Sequence, residues 1–139
     1  MTEDTREKLD GAPTVLVVDD DEFVVKAMQT VLKRSGFESI GCQTAAEALD
    51  KAVTGIHAAV VDIHLPDMNG LTLTQRLRSM LGPNLPIVIL SGDTSIETLR
   101  ALPQAGATHF FPKPVNTGML IGRLREWTMC GSSSPESSG

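Results

Sequence analysis

The sequence predicts an α/β domain in which a parallel sheet carries helices on both faces, the doubly wound arrangement. Short apolar runs alternate five times with segments that place apolar residues at helical spacing. The runs are too short for free-standing helices, so they are expected to be buried strands joined by right-handed crossovers. With 139 residues, of which 41% are hydrophobic and 21% charged, the chain is large enough to bury one core without metals or disulfides.

Five runs rich in β-branched and aliphatic residues are predicted to form the strands. In chain order they span residues 14–18, 37–42, 58–62, 86–91 and 108–111. The second run is the least apolar and is expected near an edge of the sheet. The third run ends abruptly at the carboxylate of Asp62, and the Pro, Asp, Asn and Gly residues that follow it indicate a loop.

Helical spacing and end signals predict the first three helices. Gly36, Gly55 and Gly82 are expected to end them in turn. The second helix begins with a capping box, in which Thr44 is the N-cap and Glu47 reaches back. The predicted apolar faces are formed, helix by helix, by Val24, Met28, Val31 and Leu32; by Ala45, Ala48, Leu49 and Ala52; and by Leu73, Leu77, Met80 and Leu81.

The last two helices have weaker signals. Asp93 or Thr94 is expected to cap the fourth helix, and Pro103 is expected to end it near Leu102 or to distort it there, because proline lacks an N–H donor. The fifth helix is predicted to begin near Asn116. The predicted apolar residues of these two helices are Ile96 and Leu99, and then Leu120, Leu124 and Trp127.

Composition and the sequence near the two termini indicate the domain bounds and limit the possible functions. We expect a flexible polar arm at residues 1–13, the folded domain at residues 14–130 and a flexible Ser/Pro/Gly tail at residues 131–139. The net charge of −5 argues against a nucleic-acid-binding surface, and the sequence contains no segment apolar enough to span a membrane. Two cysteines, Cys42 and Cys130, are expected to be free thiols in a reducing compartment, so we expect a cytoplasmic protein.

Polar side chains suited to phosphate chemistry follow four of the five predicted strands. Asp19 and Asp20 follow the first, Asp62 ends the third, Ser91 ends the fourth and Lys113 follows the fifth. Each has an ordinary explanation on its own, as a helix cap, a turn residue or a solvated charge. Because the carboxyl ends of parallel strands share one edge of the sheet, we expect all of them in one cleft.

This set of side chains suits phosphoryl transfer. Neighbouring carboxylates repel one another unless a cation lies between them, and hard oxygen ligands favour Mg²⁺ or Mn²⁺. The Lys113 ammonium and the Ser91 hydroxyl can contact phosphoryl oxygens. One carboxylate then remains to attack phosphorus and form an acyl phosphate.

Four motifs, taken in order, resemble the receiver domain of bacterial two-component response regulators. They are V-V-D-D-D-E at residues 17–22, D-x-x-L-P-x-M-x-G at residues 62–70, Ser91-Gly92 and Lys113-Pro114. The resemblance covers residues 14–128. It implies a flavodoxin-like fold with five helices and the strand order 2-1-3-4-5.

The resemblance also implies roles for individual residues. Asp62 is the phosphorylation site and accepts its phosphoryl group from a phosphohistidine of a sensor histidine kinase or a phosphotransfer protein. Asp19, Asp20 and Asp62 bind Mg²⁺ (or Mn²⁺) together with the backbone carbonyl of His64. His64 also influences, with Asp93, how fast the acyl phosphate hydrolyses.

Further residues are implied to bind the phosphoryl group or to switch the surface. Lys113 pairs with the phosphoryl group, and Ser91 moves to meet it. Phe110 occupies the aromatic switch position, where it lacks the hydroxyl of the tyrosine often found there. Gly92 and Pro114 have structural roles, and the Lys113–Pro114 peptide bond is expected to be cis.

The resemblance implies output through proteins. A downstream effector protein, or an output domain absent from this chain, reads the altered surface of the fourth helix, fifth strand and fifth helix. A homodimer through the fourth and fifth helices is an alternative use of that surface. No contact with nucleic acid or membrane by this domain is expected.

Two other functions are compatible with parts of the sequence. In a haloacid-dehalogenase-type phosphatase, Asp19 would be the nucleophile and Asp21 the acid/base residue, although Asp21 is otherwise expected to cap the first helix. That function leaves Asp62 unexplained. A phosphorylation-independent adaptor would keep the fold for its surface alone, which leaves the complete acid, hydroxyl and lysine set unexplained.

Overall fold

The computed structural model of the protein describes residues 11–52 and 55–128, which contain one five-stranded parallel sheet. The strands are β1 (Thr14–Val18), β2 (Glu38–Cys42), β3 (Ala58–Asp62), β4 (Ile87–Ser91) and β5 (His109–Pro112). They are ordered β2-β1-β3-β4-β5, and every neighbouring pair is parallel. The flavodoxin-like topology is therefore confirmed, and β2 lies at an edge as predicted.

Five helices follow the strands among the described residues. They are α1 (Glu22–Arg34), α2 (Ala45–Ala52), α3 (Gly70–Leu81), α4 (Ile96–Ala105) and α5 (Thr117–Thr128). The longest helix among the described residues has 13 residues, and no described helix has both the length and the apolar character needed to cross a bilayer. Cys130, the tail at residues 131–139 and residues 1–10 of the predicted arm lie outside the described residues.

An apolar cluster covers each face of the sheet, because alternate residues of a strand point to opposite sides. In β1, Leu16 and Val18 belong to the cluster shared with α2, α3 and α4. Val15 and Val17 belong to the cluster shared with α1 and α5. All residues of the central strands β3 and β4 are buried, whereas those of the edge strand β2 are mostly half-buried.

Two predicted core residues lie off the buried face of their helices. In α1 the buried face is formed by Val25, Met28 and Leu32, so the choice of Val24 was wrong by one position. In α3, Met80 is exposed although it keeps helical spacing. Both residues lie beside a broad apolar stripe, where spacing alone does not distinguish its centre from its margin.

The predicted N-cap of α4 was wrong. Ser95, and neither Asp93 nor Thr94, is the N-cap, and its side chain accepts a hydrogen bond from the Thr98 N–H. The buried residues are Leu102 and Ala105, whereas Ile96 and Leu99 are 65% and 40% exposed.

Pro103 does not end α4. The helix continues to Ala105 and stops at Gly106, which has a left-handed backbone conformation with φ 93°. The Gly106 N–H donates to the carbonyls of Leu102 and Pro103, so the last turn is closed beyond the proline. Proline removes one amide donor, but α4 continues for only two residues beyond Pro103, so few helical hydrogen bonds are affected.

The N-terminus of α2 has two side-chain caps. Thr44 caps the helix as predicted, since its Oγ1 accepts a hydrogen bond from the Glu47 N–H at 3.1 Å. The Glu47 carboxylate reaches back one residue further than a capping box requires and accepts from the Gln43 N–H at 2.9 Å. The second cap was not predicted: the carboxylate of Asp67 accepts from the N–H groups of Ala45 and Ala46.

The connection from β3 to α3 requires a glycine at position 70. The Gly70 N–H donates to the Ile63 carbonyl at 2.7 Å, which brings the two backbones together directly after Asp62. A Cβ at Gly70 would overlap the Asp62 carbonyl oxygen and lie 2.7 Å from the Ile63 Cα. Asn69, the preceding residue, caps α3 by accepting from the Leu71 N–H.

We therefore expect Gly70→Ala to lower the free energy of unfolding by about 1–3 kcal/mol, because backbone atoms must move apart to admit the methyl group. Gly122→Ala is the matched control, since a Cβ at Gly122 in α5 meets nothing within 4 Å. The control should leave stability unchanged or raise it by up to about 1 kcal/mol through helix propensity. Urea unfolding measures both variants, and equal stabilities would contradict the close approach at Gly70.

Candidate functional site

Asp62 is the last residue of β3, at the middle of the sheet, and it is 3% exposed. The apolar residues of β3 that precede it are completely or almost completely buried, so the carboxylate stands at the boundary between core and solvent. Its Oδ1 lies 3.1 Å from the Nζ of Lys113. The sequence predicted that these two residues, far apart in the chain, would meet at one edge of the sheet.

The three consecutive aspartates after β1 have different surroundings. Asp21 is the N-cap of α1, where its Oδ1 accepts from the Phe23 N–H at 2.9 Å. Asp19 is 2% exposed, and its Oδ1 accepts from the Asp21 N–H at 2.9 Å. Asp20 is exposed. One carboxylate oxygen each from Asp19, Asp20 and Asp62 lie within 4.8 Å of one another.

Lys113 follows β5 and reaches across to two carboxylates. Besides the contact with Asp62, its Nζ lies 3.4 Å from the Oδ2 of Asp19. Its backbone N–H donates to the Ser91 carbonyl at 2.9 Å, so the ends of β4 and β5 stay paired at the site. The Lys113–Pro114 peptide bond is cis, as the resemblance implied.

Burial and mutual charge shift the pKa values of this cluster. Burial, together with the charge of Asp62, raises the pKa of Asp19, while the Asp21 N–H and Lys113 oppose the shift. Burial works to lower the pKa of Lys113, but the hydrogen bond to Asp62 and the charges of Asp19 and Asp62 prevail and raise it. Lys113 is therefore an ammonium throughout the neutral range.

Ser91 is completely buried and is held by the loop that follows it. Its Oγ accepts a hydrogen bond from the Asp93 N–H at 2.9 Å. The Asp93 carboxylate turns toward the start of α4 and accepts from the Ser95 N–H and the Thr98 hydroxyl, each at 2.9 Å. These hydrogen bonds, with a smaller contribution from His64, hold the pKa of Asp93 below its usual value.

The other predicted residues surround this group. Phe110 in β5 is half-buried and packs against the apolar cluster on the side of α2, α3 and α4. His64 is exposed in the loop after β3, and Pro114 follows the lysine in the cis bond. At Gly92 a Cβ would meet nothing within 4 Å, so the structure gives no steric reason for glycine there.

The cluster fits a divalent cation. Three carboxylates and one ammonium leave a formal excess of two negative charges in a partly buried space. Such an excess is unfavourable unless a cation compensates for it. All the side-chain donors are carboxylate oxygens, the ligands that Mg²⁺ and Mn²⁺ prefer.

Cys42 lies next to this site without taking part in its chemistry. Its carbonyl accepts the Asp19 N–H at 3.1 Å and so helps to hold that residue. Burial, with a contribution from Glu47, raises the pKa of its thiol to about 11. The thiol is therefore protonated at neutral pH, which is the unreactive form.

Sequence comparison identifies the family. Residues 15–125 match the family model of the response regulator receiver domain. The chain belongs to this family. The match covers the whole sheet except Thr14 at the start of β1, together with the aspartates and the lysine of the site.

Curated relatives and solved structures agree with this assignment. The chain is 36% identical over 116 residues to the sensory/regulatory protein RpfC of Xanthomonas campestris pv. campestris and to the transcriptional regulatory protein PrrA of Mycobacterium leprae. Those matches cover 81% and 83% of this chain but only 16% and 49% of the relatives. The chain thus spans at most half the length of these two proteins.

Among solved structures, a CheY-like receiver domain protein from Methanospirillum hungatei JF-1 superposes with a TM-score of 0.81 at 29% identity. That superposition covers 92% of this chain and 99% of the other. The chemotaxis response regulator CheY4 of Vibrio cholerae gives a TM-score of 0.76 at 27% identity and covers 84% of this chain and 98% of its own. Fold and family are therefore consistent.

The raised pKa of Asp19 leads to a stability prediction. Burial makes ionisation of the Asp19 carboxyl unfavourable in the folded state, so the ionised side chain lowers the free energy of unfolding. This cost is absent below pH 3.8, the ordinary pKa of the group, and develops as the pH rises through the higher pKa of the folded state. In EDTA at pH 7, we expect Asp19→Asn to raise the free energy of unfolding by about 1 kcal/mol.

The asparagine can still accept from the Asp21 N–H, so the local backbone is preserved. The gain should shrink as the pH falls toward 4. Urea unfolding of both proteins between pH 4 and pH 7 measures it. A gain that is independent of pH would contradict this account of Asp19.

Proposed function

We propose that this receiver domain is phosphorylated on Asp62 and that phosphorylation switches a protein-interaction surface. The observation that carries the proposal is the position of Asp62, whose buried carboxylate lies 3.1 Å from the Lys113 ammonium and beside the carboxylates of Asp19 and Asp20. A nucleophile, a fixed cation and a set of metal ligands are thus within reach of one phosphoryl group.

The donor is a phosphohistidine of a sensor histidine kinase or a phosphotransfer protein. A carboxylate oxygen of Asp62 forms a bond to phosphorus while the bond from phosphorus to the imidazole nitrogen breaks. The electron pair of that bond remains on the imidazole, and Asp62 becomes an acyl phosphate. Lys113, already paired with Asp62, transfers its contact to a phosphoryl oxygen and offsets the added charge.

Asp19, Asp20 and Asp62, with the backbone carbonyl of His64, would hold Mg²⁺ or Mn²⁺. The bound cation supplies positive charge to the phosphoryl oxygens as negative charge accumulates there. The Asp21 N–H keeps one oxygen of Asp19 in place at 2.9 Å, which leaves the other oxygen on the side of Lys113. The two excess negative charges described above support this assignment.

Ser91 and Phe110 are the proposed switch residues. In the described state the Ser91 Oγ accepts from the Asp93 N–H, and a hydroxyl can instead donate to a phosphoryl oxygen if the loop moves. Phe110 would then pack into the space behind it. The energy of the phosphoryl contacts must favour this second arrangement over the first.

The surface formed by α4, β5 and α5 is the proposed output face. It exposes Ile96 and Leu99 on α4, which suits a protein partner. The partner is a downstream effector protein, an output domain of a longer protein, or a second copy of this chain. This function is signalling in the cytoplasm, with the domain assisting its own phosphorylation and hydrolysis but not serving as a metabolic enzyme.

The phosphatase alternative has less support. It requires Asp21 as an acid/base residue, but the Asp21 carboxylate caps α1. It also assigns no role to Asp62, which makes the shorter of the two contacts with Lys113. The adaptor alternative does not use the charge cluster at all.

We expect acetyl phosphate with Mg²⁺ to add the mass of one phosphoryl group to the protein, because a small-molecule donor replaces the phosphohistidine. Asp62→Asn should abolish the addition, since an amide is not a nucleophile. Asp50→Asn, which removes an exposed carboxylate on α2, is the matched control and should be modified normally. Intact-mass spectrometry measures all three proteins, and undiminished modification of Asp62→Asn would refute the proposal.

Asp93 is proposed to slow hydrolysis of the acyl phosphate. Its lowered pKa makes the Asp93 carboxylate a poor base, so it would assist the attacking water little. Its negative charge would instead oppose the hydroxide character that the water acquires as it attacks phosphorus. We expect Asp93→Ala to dephosphorylate about two- to fivefold faster, the effect of removing one nearby charge at the protein surface.

Ser95→Ala is the control for damage to α4, because it removes the cap of that helix but keeps the Asp93 charge. Its dephosphorylation rate should match wild type. Loss of phosphoryl groups is followed by intact mass after the donor is removed. Equal rates for Asp93→Ala and wild type would eliminate this role for Asp93.

A further inference from the structure

We propose that Asp67 is a positioning residue of the metal site, because its carboxylate fixes the loop after Asp62 to the N-terminus of α2. The inference rests on the proposed function, since it concerns the Mg²⁺ site described there. Asp67 is exposed and touches none of the proposed metal ligands in the described contacts, so its effect would be exerted through the backbone.

Both oxygens of Asp67 are engaged by backbone amides from a distant part of the chain. Oδ1 accepts from the Ala45 N–H at 2.9 Å, and Oδ2 accepts from the Ala46 N–H at 3.0 Å. These amides are the first two of α2, whose N-terminus also carries a partial positive charge. Charge-assisted hydrogen bonds of this kind are directional and stronger than those between neutral groups.

The tether acts at the tip of the loop between β3 and α3. The base of that loop is closed by the hydrogen bond from Gly70 to Ile63 and by a bridge between His64 and Asn69. In sequence, Asp67 lies between the residues that close the loop, and its carboxylate connects the loop tip to α2. His64, whose carbonyl is a proposed ligand, belongs to the same loop.

The α2 end of this tether also supports the other ligand loop. The carbonyl of Cys42, at the end of β2, accepts the Asp19 N–H at 3.1 Å. The side chain of Gln43 lies 3.5 Å from the carbonyl of Asp20. Residues 42–46 therefore contact both the loop that carries Asp19 and Asp20 and, through Asp67, the loop that follows Asp62.

This shared support explains how Asp67 would affect the metal. Mg²⁺ requires nearly ideal octahedral geometry, so its affinity depends on the spacing between ligands on the two loops. Two directional hydrogen bonds at the tip restrict how far the loop after Asp62 can shift from the loop after β1. Without these hydrogen bonds, the distance between the ligands on the two loops would vary over a wider range. Mg²⁺ binding would then be weaker although no ligand has been removed.

The competing explanation is that Asp67 only caps α2. The chain offers a direct control, because Thr44 caps the same helix independently through the Glu47 N–H at 3.1 Å. Thr44→Ala weakens the helix end while leaving the contacts of Asp67 in place. A pure capping role predicts equal effects of the two substitutions on Mg²⁺ binding, whereas a positioning role predicts different ones.

The test measures Mg²⁺ dissociation constants by isothermal titration calorimetry for wild type, Asp67→Ala, Asp67→Asn and Thr44→Ala. We expect Asp67→Ala to weaken Mg²⁺ binding about three- to tenfold, at or below the lower end of the effect of losing outer partners of a metal site. Thr44→Ala should bind as wild type does. Asp67→Asn, which keeps one acceptor oxygen without the charge, should be intermediate.

Hydrogen exchange without metal gives a second readout. The backbone amides of residues 63–65 and 67–69 should exchange faster in Asp67→Ala than in Thr44→Ala, because only the first substitution frees the loop tip. Wild-type affinity in Asp67→Ala, equal losses in Asp67→Ala and Thr44→Ala, or an Asp67→Asn affinity as weak as that of Asp67→Ala would each overturn the inference. Equal affinities of Asp67→Asn and Asp67→Ala would show that the weaker Mg²⁺ binding results from loss of the negative charge of Asp67 and not from loss of its hydrogen bonds. Failure of wild type to bind Mg²⁺ would instead refute the proposed metal site itself.

Discussion

The Lys113 ammonium lies between two buried carboxylates, and the rest of the site depends on this arrangement. Asp19 and Asp62 are 2% and 3% exposed, so in water-poor surroundings their charges would repel each other strongly. Lys113 contacts both carboxylates, but its single positive charge compensates only one of them. With the carboxylate of Asp20 included, two negative charges remain uncompensated. The described residues therefore form an acidic site whose formal excess of two negative charges a divalent cation could compensate.

The fold makes this arrangement possible by confining the mutually repelling carboxylates to one edge of the sheet. Below Asp62, β3 and β4 are apolar and buried, and the two clusters on the faces of the sheet stabilise their positions. The parallel topology brings the ends of β1, β3, β4 and β5 to the same side. The hydrogen bond from the Lys113 N–H to the Ser91 carbonyl then keeps the ends of β4 and β5 paired at the site.

Much of this could be predicted because the relevant signals are local. Each strand except β2 is a compact apolar run, and the carboxylates, the hydroxyl and the lysine of the site end such runs or lie within two residues after them. The strand order has no such local signal, because apolar periodicity does not specify which strands are neighbours. Its prediction comes from the resemblance of four motifs to a known family. Family membership is now shown by the match over residues 15–125.

The features that the sequence did not reveal depend on tertiary contacts. Asp93, Thr94 and Ser95 are all capable caps, and the choice of Ser95 follows from the loop in which the Asp93 N–H bonds to the Ser91 hydroxyl. Ile96 is exposed because Leu102 and Ala105 form the buried face of α4. The bonds of Asp67 to α2 span more than twenty residues and involve backbone amides, which leave no pattern in side-chain spacing.

We propose that Asp62 is the carboxylate that receives the phosphoryl group. Borohydride reduction after treatment with a phosphodonor and Mg²⁺ converts an acyl phosphate to an alcohol, and peptide mass spectrometry then locates it. If Asp62 is the phosphorylation site, we expect a single reduced residue, at Asp62. Reduction at Asp19, or no reduction when Mg²⁺ and donor are both present, would contradict it.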